Sequence, residues 1–334
     1  MSATQSDASQ PKSVAINEVS TRDGFQMESQ FIATEDKVAL LDRLSAAGYK
    51  RIEVTSFTSP KAIPMLRDAE AVMQQIRRHP DVIYTALVPN IRGAERALES
   101  MVDEFNLVMS VSETHNLTNL RMTREQSFTQ LSGVIARARA ADVPVNVSLS
   151  CVFGCPMEGD IDTDELMHWI HRFAQESVAG ITLCDTTGMA YPSQVRAIAE
   201  AAVSAHPELE FCGHFHNTRG MGLANILAAL EAGITSFDAS LGGVGGCPYA
   251  PGASGNVATE DVVHMLECMG YDTGVDLDRL LEATVLLREL IGHDVPSQLS
   301  HAGPRTVRHP VPADFEQIRD DANNRDSSGR RPPQ

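Results

Sequence analysis

The sequence predicts an α/β fold, a (β/α)8 TIM barrel in which eight parallel strands alternate with eight helices. Its 334 residues are a normal length for one such barrel. Short strand-like segments alternate with amphipathic segments through the middle of the chain, and polar residues gather where the predicted strands end. An open doubly wound sheet is the alternative. However, no GxGxxG turn follows the first predicted strand, so a dinucleotide-binding fold lacks its main support.

The predicted strands are short β-branched or apolar segments bounded by turn residues. In chain order they cover residues 14–21, 51–57, 82–88, 104–112, 145–151, 180–187, 209–217 and 235–242. The clearest segments between them are amphipathic, and they predict the barrel helices because two begin at a Thr or Asp cap and three end at a Gly. We expect the eighth helix over 258–270 and an extra C-terminal helix over 277–291, on the outside of the barrel or over one end.

One barrel domain is expected over residues 13–304. The flanking segments, 1–12 and 305–334, lack apolar periodicity and are rich in polar residues, so we expect both to be disordered.

The composition limits the partners. Lys and Arg number 27 against 44 Asp and Glu, a net charge of −17, which argues against nucleic acid or an anionic membrane as the main partner. No apolar run approaches the roughly 18 residues of a membrane span. Residues 1–12 lack the layout of a signal peptide, and six cysteines are too few for a disulfide scaffold. We therefore expect a cytoplasmic protein, and we expect it to be a homo-oligomer, a dimer or larger.

A divalent-metal site is predicted where the strands end. His214 and His216 are two apart on the seventh strand, so both imidazoles lie on one face. Asp23 follows the first strand and Asn256 follows the eighth, and these strands are neighbours in a closed barrel. Such a set of oxygen and nitrogen ligands suits Mg²⁺ or Mn²⁺ better than a closed zinc site, although Cys247 keeps zinc as a minority possibility. The alternative is a pair of histidines with ordinary hydrogen bonds.

Arg22 stands beside Asp23, and Glu53 and Asp185 lie on or at the end of the second and sixth strands. A buried guanidinium could stabilise a developing enolate or alkoxide oxygen. The alternative is a structural salt bridge from Arg22 to Glu53 or Asp185.

The segment 242–256 contains six glycines in fifteen residues and one cysteine, Cys247. We interpret it as a lid that brings this thiol to the substrate for proton exchange, whereas a loop that binds phosphate through its amides is the alternative. Of the other cysteines, Cys184, Cys212 and Cys268 are expected to be inert core residues.

These residues lie in longer motifs: EVSTRDGFQME (18–28), IEVTSFTSPK (52–61), LCDTTG (183–188), GHFHNTRGMGLAN (213–225) and GGVGGCPYAPGASGN (242–256). In them the chain resembles the 3-hydroxy-3-methylglutaryl-CoA lyase family of the DRE-TIM metallolyase superfamily, across roughly residues 14–300. The resemblance departs at Ser29, where the family usually has a lysine that helps to hold the CoA phosphates.

The resemblance implies a metal-dependent cleavage of a 3-hydroxyacyl-CoA to acetyl-CoA and a keto acid, as in leucine catabolism. It implies roles for the metal ligands Asp23, His214, His216 and Asn256, for the catalytic residues Arg22, Cys247, Asp185 and Glu53, and for the substrate-binding residues Gln26, Lys61, Thr186 and Gly246. Lyases for citramalyl-CoA or a longer-branched 3-hydroxyglutaryl-CoA are alternatives within the family. A condensing synthase of the superfamily and a non-enzymatic binding barrel are further alternatives.

Overall fold

The structure, a computed structural model, describes residues 12–246 and 255–327. Eight parallel strands form a closed barrel in the order β1 to β8, which confirms the predicted fold. The strands are β1 Ala15–Glu18, β2 Arg51–Ser56, β3 Ile83–Leu87, β4 Glu104–Ser110, β5 Val145–Ser150, β6 Gly180–Asp185, β7 Glu210–Phe215 and β8 Ser236–Ala239. Strand β8 closes the barrel by pairing with both β7 and β1.

Helices cover the outside of the barrel. They are α1 Thr34–Ser45, α2 Ala69–Gln75, α3 Ile91–Glu99, α4 Glu113–Leu120, α5 Arg124–Arg139, α6 Thr163–Gln175, α7 Pro192–Ala205, α8 Gly222–Glu231, α9 Thr259–Cys268, α10 Leu277–Ile291 and α11 Leu299–Ala302. Side-chain caps start several of them; α5 begins with a capping box between Thr123 and Gln126. No helix in the described part of the chain is long and apolar enough to cross a membrane.

The extra C-terminal helix is α10, and its observed bounds are the predicted ones. Leu280, Ala283 and Leu287 are buried on one face of it, and the helix packs against α1 and α9. Helix α10 therefore packs on the outside of the barrel, and its buried face is part of the hydrophobic core.

The alternation of side chains along each strand separates two environments. On β7, Phe211 and Phe215 are buried in the apolar core cluster, whereas the residues between them are polar or small. The barrel interior is therefore polar, and this is the space in which the candidate site lies.

The first strand is shorter than predicted. We expected a strand over 14–21, but β1 ends at Glu18, and Ser20–Gly24 form a wide helical turn. The Val19 carbonyl accepts hydrogen bonds from Arg22 N at 3.2 Å and Asp23 N at 2.7 Å. These bonds end the extended backbone, and the turn sets Arg22 and Asp23 beside the open end of the barrel.

The chain after residue 301 forms a separate unit. The structure contains a helix there, α12 Phe315–Ser327, where the sequence led us to expect a disordered tail. All its side chains from Phe315 to Arg325 are exposed. An isolated helix of about this length is marginal in water without tertiary packing, so disorder of this tail in solution stays a prediction.

Candidate active site

Arg22 lies buried in an ion-pair network. Its Nε donates to Glu53 Oε2 at 2.5 Å and its Nη1 to Asp23 Oδ1 at 2.7 Å. Burial alone would lower the pKa of Arg22, but the charges of Glu53 and Asp23 raise it above its ordinary value. The salt bridge to Glu53 that we considered as the structural alternative therefore exists. Together, the contacts to Glu53 and Asp23 use two of the five guanidinium N–H donors and fix the plane of the group.

Three predicted metal ligands come together. Ligand atoms of Asp23, His214 and His216 all lie within 4.8 Å of one another, and the three residues are buried. The two imidazole Nε2 atoms are 3.2 Å apart, and each is 4.0 Å from Asp23 Oδ2. Closure of the barrel between β8 and β1 brings the turn that carries Asp23 close to these histidines.

Asn256, the fourth predicted ligand, lies against the same group. Its Nδ2 donates to Asp23 Oδ2 at 2.7 Å, and its buried Oδ1 has no hydrogen-bond partner in the described part of the chain. A buried amide oxygen without a partner is costly unless something else binds it. Two oxygen and two nitrogen donors in one buried cluster therefore fit a divalent cation.

The electrostatics favour the metal-binding forms of His216 and Asp23; burial alone would lower the pKa of His214, but the hydrogen bond and charge of Asp238 raise it. Burial, and then the charge of His214, lowers the pKa of His216 to about 4, so its imidazole is neutral near pH 7. Burial alone would raise the pKa of Asp23, but Arg22 and the two histidines lower it, so the carboxylate is ionised. Neutral imidazole and ionised carboxylate are the forms that ligate metals.

Asp185 lies at the end of β6, and one of its carboxylate oxygens is free. Its Oδ1 accepts hydrogen bonds from Met189 N at 2.8 Å and Ala190 N at 3.1 Å, whereas the buried Oδ2 has no partner among the described residues. Burial raises the pKa of Asp185 to about 6. A carboxyl group of this kind can exchange a proton near neutral pH.

The predicted substrate-binding residues are less closely grouped. Gln26 donates from Nε2 to Asp23 Oδ1 at 2.9 Å, so it lies at the site. The Thr186 hydroxyl accepts a hydrogen bond from Cys151 N at 3.1 Å. Lys61 is exposed in the segment after β2, and Gly246 is half-buried at the edge of the described chain. Cys247 lies outside the described residues.

The other cysteines correct one expectation. Cys184 and Cys212 are buried, as expected for core residues, but Cys268 is exposed near the end of α9. Its Sγ lies 3.7 Å from His264 Nε2, one helical turn earlier. The apolar residues of α9 that face the core occupy the opposite side of the helix, so Cys268 is directed to solvent.

Sequence reasoning missed Asp238 on β8. Its Oδ2 lies 3.2 Å from His214 Nδ1, and the two residues are register partners of adjacent strands. An acidic residue between Phe237 and Ala239 on a predicted strand was the observation that could have identified it.

The family model described as HMGL-like matches residues 13–287. The hydroxymethylglutaryl-CoA lyase YngG of Bacillus subtilis is 46% identical over 86% of this chain and 96% of its own length. The Pseudomonas aeruginosa enzyme named 3-hydroxy-3-isohexenylglutaryl-CoA/hydroxy-methylglutaryl-CoA lyase is 41% identical over 87% of this chain and 97% of its own length.

Among solved structures, an HMG-CoA lyase from Acinetobacter baumannii in complex with coenzyme A and 3-methylmalate is 48% identical. It superposes with a TM-score of 0.87, over 90% of this chain and 98% of that one. The family match, the identities and the shared barrel agree with one another, and the chain belongs to the HMGL-like family.

Proposed function

We propose that this chain is a divalent-metal-dependent carbon–carbon lyase that cleaves 3-hydroxy-3-methylglutaryl-CoA to acetyl-CoA and acetoacetate. The observation that carries the proposal is the buried cluster of Asp23, His214 and His216 next to the Arg22 guanidinium. Membership of the HMGL-like family, and relatives named as hydroxymethylglutaryl-CoA lyases, support the substrate.

Asp23, His214, His216 and Asn256 would hold the metal. When bound, Mg²⁺ or Mn²⁺ acts as a Lewis acid and template for the hydroxyl and carbonyl oxygens of the substrate. Half of the donors are hard oxygens and the set leaves positions open for substrate, which favours these ions over a closed zinc site.

Asp185 would act as the base. Its unpaired Oδ2 takes the proton of the tertiary hydroxyl. The new carbonyl forms as the bond to the acetyl-CoA carbon breaks, and the electron pair of that bond becomes the enolate of acetyl-CoA. Arg22, held in place by Glu53, stabilises the enolate oxygen.

Cys247 would protonate the enolate carbon, a role that rests on the family resemblance. We predict that Cys247→Ser retains metal binding and loses most turnover, because a hydroxyl near neutral pH is a far poorer proton donor than a thiol. The exposed Cys268 would dominate alkylation of the native protein, so labelling is measured in a Cys268→Ser background. Full activity of Cys247→Ser would exclude this role. Alkylation of Cys247 that a bound substrate analogue with divalent metal does not slow would also exclude it.

A screen of acyl-CoA esters tests the proposal. Hydroxymethylglutaryl-CoA, citramalyl-CoA and 3-hydroxy-3-isohexenylglutaryl-CoA are incubated with Mg²⁺, Mn²⁺ or EDTA, and acetyl-CoA is measured by mass spectrometry. The third ester is included because the Pseudomonas aeruginosa relative is named for it. We expect acetyl-CoA from the first ester with either metal. No product with metal, or equal product with EDTA, would overturn the proposal.

Several finer expectations remain proposals. They are a barrel domain over 13–304, a cytoplasmic location, a homo-oligomer and a role in leucine catabolism. Light scattering on the purified chain measures the oligomeric state, and growth on leucine with the gene deleted tests the metabolic role.

A further inference from the structure

The two histidines of the cluster differ in what holds their second ring nitrogen. His214 Nδ1 lies 3.2 Å from the Asp238 carboxylate, whereas the buried His216 Nδ1 has no hydrogen-bond partner within residues 12–246 and 255–327. The rings are otherwise alike, since both are buried and their Nε2 atoms face each other at 3.2 Å. One imidazole is therefore anchored by an anion and the other is not.

Two hydrogen-bond donors hold the Asp238 carboxylate in place. Its other oxygen, Oδ1, accepts a hydrogen bond from Asn17 Nδ2 at 3.0 Å and one from Cys212 Sγ at 3.2 Å. An ionised carboxylate only accepts hydrogen bonds. Because Oδ1 is occupied by two donors, Oδ2 remains for His214, and the shared proton belongs on His214 Nδ1.

This arrangement fixes one tautomer. A proton on His214 Nδ1 leaves the lone pair on Nε2, the atom that lies 4.0 Å from Asp23 Oδ2. A neutral His214 therefore offers Nε2 to the cluster as a ligand atom.

We infer that Asp238 is a positioning residue that keeps a proton on His214 Nδ1 and so leaves Nε2 of the neutral ring as the ligand atom. The inference rests on the proposed metal-dependent function. Carboxylates that accept the second N–H of a ligating histidine typically contribute about 10- to 100-fold in metal affinity.

Asp238→Asn is the decisive variant. Asn17 and Cys212 both donate toward the first side-chain oxygen, so the new amide keeps its oxygen there and presents its NH₂ to His214 Nδ1. That NH₂ is a donor, so it forces the proton of His214 onto Nε2 and blocks the ligand lone pair. Glu104→Gln is the matched control, because it also neutralises a buried carboxylate of the barrel interior, one that bonds to Arg51.

Two measurements on the purified full chain test the inference. Mn²⁺ binding is followed by EPR, and we expect it to be at least about 10-fold weaker in Asp238→Asn and unchanged in Glu104→Gln. The ¹⁵N shifts of neutral His214 in metal-free protein, assigned with His214→Gln, report the tautomer. We expect protonated Nδ1 in the native chain and protonated Nε2 in Asp238→Asn.

The outcomes separate this inference from the proposed function. If the native chain binds no Mn²⁺, the proposed function fails, whereas the tautomer measurement still judges Asp238. If Asp238→Asn binds Mn²⁺ as the native chain does, or keeps the Nδ1–H tautomer, the inference is wrong. Should Asp238→Asn not fold, Asn17→Ser loosens the same carboxylate, and unchanged Mn²⁺ affinity in that variant would overturn the inference.

Discussion

The two ends of the barrel interior are both polar, but they satisfy their polar groups differently. At the end where the strands begin, Arg51 lies between two carboxylates, with its Nε 3.0 Å from Glu104 and its Nη1 3.1 Å from Glu210. At the end where the strands finish, the buried atoms without a hydrogen-bond partner in the described chain include three on candidate site residues. They are Asp185 Oδ2, His216 Nδ1 and Asn256 Oδ1.

This difference distinguishes polar groups that stabilise the fold from polar groups that can bind a ligand. A buried polar atom without a hydrogen bond costs about 1–3 kcal/mol, and a bound ligand or a reaction would explain why Asp185, His216 and Asn256 each keep one. At the first end Arg51 and its two carboxylates pair with each other, whereas at the second end the atoms without a partner in the described chain would be available to the proposed metal and substrate.

A ladder of amides joins the two ends. Asn146 Nδ2 donates to Asn106 Oδ1 at 3.1 Å, and Asn106 Nδ2 donates to Glu53 Oε1 at 2.8 Å. Glu53 in turn holds Arg22. The asparagines near the end where the strands begin therefore help to orient the Arg22 guanidinium at the end where the strands finish.

The comparison predicts that substitutions at the end where the strands finish lower turnover, whereas substitutions at the end where the strands begin lower the free energy of unfolding. His216→Ala removes one proposed metal ligand at the reactive end and should have the largest effect on turnover. We expect a loss greater than the roughly 10²- to 10³-fold typical of a single transition-state contact. The free energy of unfolding, measured with urea in EDTA, should remain close to the native value. Native turnover of His216→Ala would contradict the assignment of this end as the metal site.

Arg22→Lys keeps the charge but loses the planar fork of donors that Glu53 and Asp23 orient. We expect kcat to fall by about 10²- to 10³-fold with little change in KM, because the contact strengthens only as the enolate forms. Steady-state kinetics with the ester identified in the screen measures both constants. A near-normal kcat would show that Arg22 has only a structural role.

Asp185→Asn removes the proposed base without changing its size. In the native chain kcat/KM should rise with pH through about 6, since the carboxyl is protonated and inactive below that pKa and ionised above it. The variant should lose about 100-fold in kcat/KM and should lack this rise. The check is a pH profile of both proteins, and an unchanged rise in the variant would show that another group is the base.

Glu104→Gln, at the structural end, should change turnover least. Arg51 keeps Glu210 but loses its more buried partner, so we expect the free energy of unfolding to drop by about 1–3 kcal/mol. We expect kcat within about twofold of the native value, because Glu104 pairs with Arg51 at the end of the barrel away from the proposed site. Urea denaturation and steady-state kinetics on the same preparation decide it. A large loss of turnover without loss of stability would remove the distinction between the two ends.

Much of this molecule could be predicted from its sequence. The eight strands and α10 follow from local patterns of apolar residues, caps and turn residues, which act over a few neighbours along the chain. The spacing of His214 and His216 places both rings on one face of a strand for the same local reason. Strand β1 was predicted too long. Hydrogen bonds from Arg22 N and Asp23 N to the Val19 carbonyl follow its end, and the pattern of residue types does not show them.

What the tertiary structure alone decided is which side chains meet and what they lack. Either Glu53 or Asp185 could have paired with Arg22 on sequence grounds. Of the two, Glu53 lies within hydrogen-bonding distance, and Asp185 keeps an oxygen without a partner in the described part of the chain. Asp238 became visible as the partner of His214 only through the pairing of β7 with β8. Composition and periodicity specify the faces of strands and helices, whereas burial, closure of the barrel and distances between strands depend on residues far apart in sequence. Those long-range contacts set the pKa of Asp185 and the difference between the two histidines.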